Sequence, residues 1–373
     1  MKYYIKSKLK FLYKRLIINI FKFIYIKPEL VNNYKDNSLK EFKINLDNNN
    51  YIIFKLKKGR LFTDSNDTTA YISQKNKLSR ASLQYSKFDH INSSNSKISK
   101  NKTLFEGTPK IIRHFNGTVL SLLSGGASKD NFTHWFTDVI PRLKIFNKKF
   151  KLNQIDKFYV PSLKYQFQID SLKILGIHSN KIITSEKFKH ITANYIYATS
   201  HPCNHLPMKV KKWSLNYLRK SFIKKSNNKW YKKIFVDRDQ LKLIDTNNLK
   251  KFKDFRVLIN EQEIKNYLLS EGFTIIKPEE FSFKEQVEIF SNTNYVVGLY
   301  GAAMMMLTFC KKNTKVIEIK PLLGGNEFKN ISGLLNLKHN QIILKPIIKS
   351  SIPQNGLLFC SIRKIKDQLS KLK

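Results

Sequence analysis

The chain has 373 residues, 42% of them apolar, and a formal net charge of +41. That length holds two α/β domains with sizeable cores. Its three cysteines, Cys203, Cys310 and Cys360, are too few and too scattered for a disulfide framework or a zinc pattern, and they fit a reducing compartment. Lysine is the default cation: only nine of the 68 basic residues are arginine, so each arginine is informative. The excess of lysine, asparagine and isoleucine resembles an AT-biased coding sequence. It still creates a field that attracts nucleic acid, anionic lipid or sugar nucleotides.

Residues 1–27 are basic and apolar together. Leu9, Leu12, Leu16, Ile20, Phe23 and Ile24 recur at helical spacing among Lys6, Lys8, Lys10, Lys14, Arg15 and Lys22. The segment is too short and too charged to span a bilayer, and no cleavage site follows it. An interfacial helix on anionic lipid and a docked helix with a solvated basic face are both consistent with it. Residues 31–103 read as irregular, with one strand at 51–56 and loops at 47–50 and 86–102. No internal repeat is evident.

From residue 104 strands and helices alternate. Strand 117–123 leads through Ser124-Gly-Gly into a helix at 132–146. A strand at 157–160, a helix at 165–175 closed by Gly176, a strand at 195–198 and a helix at 210–225 follow. After a polar link at Ser226, a second block repeats the pattern. It has strands at 234–236, 273–276, 295–297 and 316–319, with helices at 260–270, 282–290 and 302–309. Asn260 and Ser282 each open a capping-box pattern. Two such blocks predict two doubly wound domains with a cleft between them. The expected division is a basic helix at 1–28, a first α/β domain at 29–225, a second at 226–345 and a tail at 346–373.

Three groups of residues can carry chemistry. On a helix, His134 and Asp138 share a face, as a general base and its orienting partner or as an ordinary polar pair. Pro141 would kink or end that helix. Arg238, at a strand end, can grip a diphosphate bidentately, and Arg256 can add a second cation. Asp237 and Asp239 beside it form Asp-x-Asp, which can hold a divalent metal or serve only in surface ion pairs. Glu318 sits in an apolar strand, where it needs a partner such as a ribose hydroxyl or an outlook on solvent from an edge strand. Gly298 and Gly301 allow a turn that presents bare N–H groups, and the helix start at Ala302 adds donors and a partial positive charge. His201-Pro-Cys-Asn-His205 lacks a second ligand pair for zinc.

Taken together, these residues resemble the family 61 glycosyltransferases. The carriers are Asn131-Phe-x-His-Trp-Phe-x-Asp-x-x-Pro-Arg-Leu, Val236-Asp-Arg, Arg256-Val-Leu-Ile-Asn-Glu, Phe281-Ser-Phe-Lys-Glu-Gln, Val296-Val-Gly-x-x-Gly-Ala and Val316-Ile-Glu-Ile. The resemblance implies a GT-B fold and an inverting, metal-independent transfer from a nucleotide sugar to a glycan or lipid-linked acceptor. No cofactor is expected, and a divalent metal is the exception. By the same resemblance Arg238 and the turn at Gly298, Tyr300, Gly301 and Ala302 hold the diphosphate, with Glu318 near the nucleotide. Asp138 is the expected base and His134 the alternative.

Two positions depart from the family pattern. Asp237 stands where serine is usual, placing a carboxylate beside the diphosphate. Tyr300 stands where histidine is usual; a phenol can hydrogen-bond phosphate but carries no positive charge. The competing readings are a nucleic-acid-binding basic protein, against which no binding signature appears, and a non-catalytic scaffold on a membrane surface. The expected location is cytoplasmic, peripheral at the inner face of a membrane.

Overall fold

The computed structural model describes residues 2–30, 36–64, 68–82, 98–123, 130–203, 209–225, 228, 230–239 and 255–372. Ser124-Gly-Gly, His205, Ser226 and most of the loop expected at 86–102 lie outside them. The chain divides into two compact units, Met1–Met208 and Lys209–Lys373. Helix Lys212–Phe222 therefore goes with the second unit, although the polar link at Ser226 placed the expected division after it.

The first unit opens with helix Lys2–Ile24. Within 31–103, expected to be mostly irregular, the described residues include a set of short strands, most of them paired antiparallel. Strands Leu39–Leu46 and Asn49–Lys57 make a hairpin, joined by Asp47 and Asn48 with φ of 51° and 59°. Two successive positive φ values match the two-residue turn that follows the right-handed twist of the strands. Strands Arg60–Thr63 and Thr69–Ile72 pair next to them. Most of these segments are short, and the one clear alternation, Phe42, Ile44 and Leu46 spaced by Lys43 and Asn45, is a strand signal the sequence reading missed.

Strand His190–Thr199 is the hinge of this sheet. It pairs antiparallel with Asn49–Lys57 and Arg60–Thr63, and parallel with Arg113–Ser121. Lys157–Val160 and Ile182–Thr184 continue the parallel side. One half of this sheet is thus parallel and the other largely antiparallel, its neighbouring strands joined by short turns.

The second unit contains a five-stranded sheet, parallel throughout. Its order is Thr274–Ile276, Lys233–Val236, Tyr295–Leu299, Lys315–Pro321, Lys338–Leu344. In chain order that is 2-1-3-4-5, a doubly wound arrangement whose strand order reverses between the first and third strands. One face packs Phe235, Val297, Leu299, Ile317 and Ile319 against Ile264 and Leu268 of helix Glu261–Ser270 and against Ile365, Leu369 and Leu372. Those last three lie on helix Ile362–Leu372, so residues 346–373 are no tail. Their strand Gly356–Leu358 pairs with Arg256–Leu258.

The helix at 302–309 is a 3₁₀ helix, Ala302–Phe309, with Met304, Met305, Met306 and Leu307 completely buried. A helix that is apolar all round belongs inside, and packing sustains a 3₁₀ stretch longer than usual. Ser282 caps helix Phe283–Asn292 with Glu285, as expected. Asn260 forms no such cap. Its amide accepts from Cys360 N and donates to Cys360 O, tying the helix start to the chain after strand Gly356–Leu358.

Candidate active site

The first cluster grows out of one interrupted helix. Residues 132–147 run as an α-turn at Phe132–His134, a π-turn at Trp135–Val139 and an α-helix at Pro141–Asn147. Pro141 has no N–H to give to Thr137 O, so the ladder slips: Ile140 N reaches back to Trp135 O at 3.0 Å. The Cys203 thiol donates to the Thr137 carbonyl at 3.6 Å, and Arg142 Nε donates to the Asp138 carbonyl at 2.9 Å. The expected kink is therefore a π-turn, and the proline opens the following α-segment instead of ending the helix.

That turn places His134 Nδ1 2.6 Å from Asp138 Oδ2. His201 Nε2 stands 3.6 Å from the same oxygen, and Thr137 Oγ1 is 2.8 Å from Oδ1. Asp138 is buried. Burial raises its proton affinity, but His201 and then His134 outweigh it and hold the carboxyl well below the usual carboxylate range. Such a carboxylate is a weak proton acceptor and a strong hydrogen-bond acceptor. With Nδ1–H donated to Asp138, the basic lone pair of His134 lies on Nε2. The geometry supports the alternative order of roles as well, with the imidazole as base and Asp138 as its orienting partner.

His201 and Arg142 were not singled out for this cluster by their sequence. His201 lies just past strand His190–Thr199. Arg142, itself buried, donates from Nη1 to Thr199 O at 2.6 Å and Thr199 Oγ1 at 3.2 Å, binding the end of that strand to the π-turn. Only the fold brings residues 138, 142 and 201 together. A cavity of about 290 Å³ lies beside them, lined in part by Arg142, Thr199, Ser200, His201 and Tyr71.

The second cluster sits at the carboxyl ends of the parallel strands in the second unit. Arg238 follows strand Lys233–Val236, and Tyr300 follows strand Tyr295–Leu299. These are the two strands that flank the reversal in strand order. Arg238 Nη1 donates to the Tyr300 carbonyl at 3.2 Å, and Arg256 Nη1 donates to the same oxygen. Arg256 is held further by Gln354 O at 2.7 Å and Asn355 Oδ1 at 3.1 Å, and its guanidinium lies 4.4 Å from the Tyr300 ring centre. Burial and then Arg238 push the Arg256 pKa down to about 10, against the opposing pull of Tyr300, Glu327 and Glu318. Burial also lowers that of Arg238. Two like charges held together in a buried place favour an anion that shares them.

The glycines serve close approach. A Cβ on Gly298 would lie 2.9 Å from Met304 Sδ, and one on Gly301 would lie 2.6 Å from Arg238 Nη1. Gly301 is extended, with φ of 162°, so space and not backbone conformation requires it. Ala302 starts the 3₁₀ helix. The Tyr300 hydroxyl, expected to reach phosphate, donates to Glu327 instead, and its carbonyl is what meets the arginines.

Asp237 and Asp239 each pair with a lysine of their own. Asp237 is buried with its Oδ2 2.7 Å from Lys265 Nζ, and its Oδ1 accepts from Asp239 N at 2.7 Å. Asp239 pairs with Lys277 at 3.3 Å. The carboxylate that departs from the family pattern thus carries its own lysine. Among the described residues, no group of three His, Cys, Asp or Glu residues is arranged to hold a metal.

Glu318 is buried in a central strand, so the edge-strand reading fails. Its Oε2 accepts from Gln341 Nε2 at 2.7 Å and lies 3.1 Å from His339 Nε2, both on the neighbouring strand Lys338–Leu344. Its Oε1 is buried with no hydrogen-bond partner in the structure.

A parallel sheet of 2-1-3-4-5 order, with paired arginines at the carboxyl ends beside its reversal, defines a doubly wound α/β protein. Residues 132–317 match the family model of Glycosyltransferase 61, and the chain belongs to that family. Membership makes it a glycosyltransferase, with a nucleotide-sugar donor and a glycan acceptor in general terms. The match covers His134, Asp138, Arg238, Arg256 and the turn at Gly298 to Ala302, and stops one residue before Glu318. No curated protein matches the chain.

Proposed function

We propose that this glycosyltransferase is an inverting, metal-independent enzyme of GT-B type, moving a sugar from a nucleoside diphosphate sugar to a glycan or lipid-linked acceptor. The observation that carries the reading is the meeting of Arg238 and Arg256 on one carbonyl at the carboxyl end of the parallel sheet, beside its reversal. Ligands of open α/β sheets bind at that place. A diphosphate suits it: a guanidinium fork matches phosphate oxygens in pairs, and the buried cations gain most from a doubly charged partner. Backbone N–H groups at the start of the Ala302–Phe309 helix add donors.

In this mechanism His134 Nε2 takes the proton of the acceptor hydroxyl while Asp138 holds the ring and stabilises the imidazolium. The acceptor oxygen bonds to the anomeric carbon from the face opposite the diphosphate. The carbon–oxygen bond to the β-phosphate breaks, and its electron pair leaves with the nucleotide. Arg238 and Arg256 stabilise that developing charge.

The test is release of nucleoside diphosphate from a panel of sugar nucleotides and simple glycan acceptors, in EDTA. His134→Ala is expected to lower kcat by about 10²–10³ and Asp138→Asn by a similar order, with KM for the donor little changed. Product of retained anomeric configuration would contradict inversion, and activity restored only by a divalent ion would contradict metal independence.

A further inference from the structure

The N-terminal helix rests on the first unit with one face and leaves a second face bare. Ile17, Ile18, Phe21 and Lys22 are half-buried. Lys14 reaches Glu106 at 3.8 Å, and Tyr25, just past the helix, sets its ring edge against His190 at 5.3 Å. A separate set, Leu9, Leu12, Leu16, Ile20 and Phe23, forms a stripe at three- and four-residue spacing. These five are 61, 58, 57, 45 and 92% exposed. Tyr13 and Ile24 widen the stripe and are exposed as well.

A surface helix ordinarily turns its apolar stripe inward; here the stripe faces out. Removing such side chains from water is favourable, so a continuous exposed row marks a binding face. Charge selects the occupant. Helix Lys2–Ile24 contains no acidic residue. By helical geometry Lys8 and Arg15 flank the stripe on one side, while Lys10 and Lys14 turn toward the body. Lys10 and Lys14 also line a cavity of about 610 Å³ between helix and body, with Lys102, Lys110 and Lys189 beside Asp64 and Glu106. A second copy of this chain would bring the same positive charge to the contact. An anionic lipid surface supplies both an apolar layer and the opposite charge. No helix among the described residues is long and apolar enough to cross a membrane, so the helix lies in the surface plane.

We propose that helix Lys2–Ile24 lies in the headgroup boundary of an anionic bilayer, with Leu9, Leu12, Leu16, Ile20 and Phe23 inserted and Lys8 and Arg15 against the lipid phosphates. The proposal is independent of the transfer chemistry. Its test is co-sedimentation of the full chain with vesicles of phosphatidylcholine alone and of phosphatidylcholine mixed with phosphatidylglycerol. The mixed vesicles are expected to bind, added salt to weaken binding, and Leu16→Glu with Phe23→Glu to weaken it about tenfold or more. Both side chains are exposed, so the double variant should melt like the parent. Three results would overturn the proposal: no binding to the anionic vesicles, equal binding by the double variant, or a dimer in sedimentation velocity that the double variant dissociates. The double variant should bind sugar nucleotides as the parent does, so failure on vesicles leaves the transfer reading untouched.

Discussion

At the scale of single residues, the donor side turns on a few atoms. Gly301 has room for hydrogen alone because the Arg238 guanidinium fills the space where a Cβ would stand. Gly301→Ala is therefore expected to displace a flexible side-chain end without straining the extended backbone. Nucleoside diphosphate binding should weaken about tenfold while the unfolding midpoint barely moves; a large drop in midpoint would show that the glycine serves packing. Lys265 is the second such residue. It neutralises a carboxylate that has almost no access to water. Lys265→Met should cost about 3 kcal/mol in urea unfolding, and adding Asp237→Ser should recover most of it. Recovery would identify the pair as an internal substitute for the neutral residue usual at that position. A single variant as stable as the parent would refute it.

At the scale of elements, the π-turn and the strand that meets it decide what the His–Asp cluster can do. Asn131, His134, Asp138 and Pro141 were legible as a helical pattern, and the shared face of His134 and Asp138 follows from helix geometry alone. The slip of the ladder was not legible, because it depends on Cys203 and Arg142 accepting the hydrogen-bonding work that Pro141 cannot do. Nor was His201, which reaches Asp138 through strand His190–Thr199. The other end of that strand makes a pH-sensitive joint. His190 is buried between the rings of Tyr25 and Phe62, and donates from Nδ1 to Lys110 O at 2.8 Å. Burial pushes its pKa from 6.5 down to about 4. The unfolded chain therefore binds this proton near pH 6.5 and the folded chain only near 4. Stability from this group is full above 6.5, falls as pH drops towards 4, and is level below it, a loss of about 3 kcal/mol. His190→Phe should remove that part of the pH dependence of thermal unfolding. An unchanged profile would place the pH dependence elsewhere.

At the scale of the whole molecule, the second unit was the more legible. Its buried parallel strands read as short apolar runs bounded by glycine and asparagine, and 295–297 followed by 302–309 and 316–319 stood out on that ground. The terminal helix Ile362–Leu372 reads as a tail because charged and polar residues fill the positions between Ile362, Ile365, Leu369 and Leu372, and they disguise a core-facing stripe. Pairing between distant segments was beyond any local pattern: Arg256 belongs beside Tyr300 because its strand docks on Gly356–Leu358 at the far end of the chain. The lysine excess gives the molecule a general attraction for anions, which salt should weaken. The arginine pair is a local, desolvated feature and should resist salt far better.

That contrast sets the decisive measurement: calorimetric titration of nucleoside diphosphates and sugar nucleotides into the parent protein and Arg238→Ala, with and without EDTA, at physiological salt. The account predicts that one sugar nucleotide binds with a micromolar Kd, that EDTA leaves it unchanged, and that Arg238→Ala abolishes it. A folded protein that binds no nucleotide, or binding that survives Arg238→Ala intact, would contradict the assignment of the donor site.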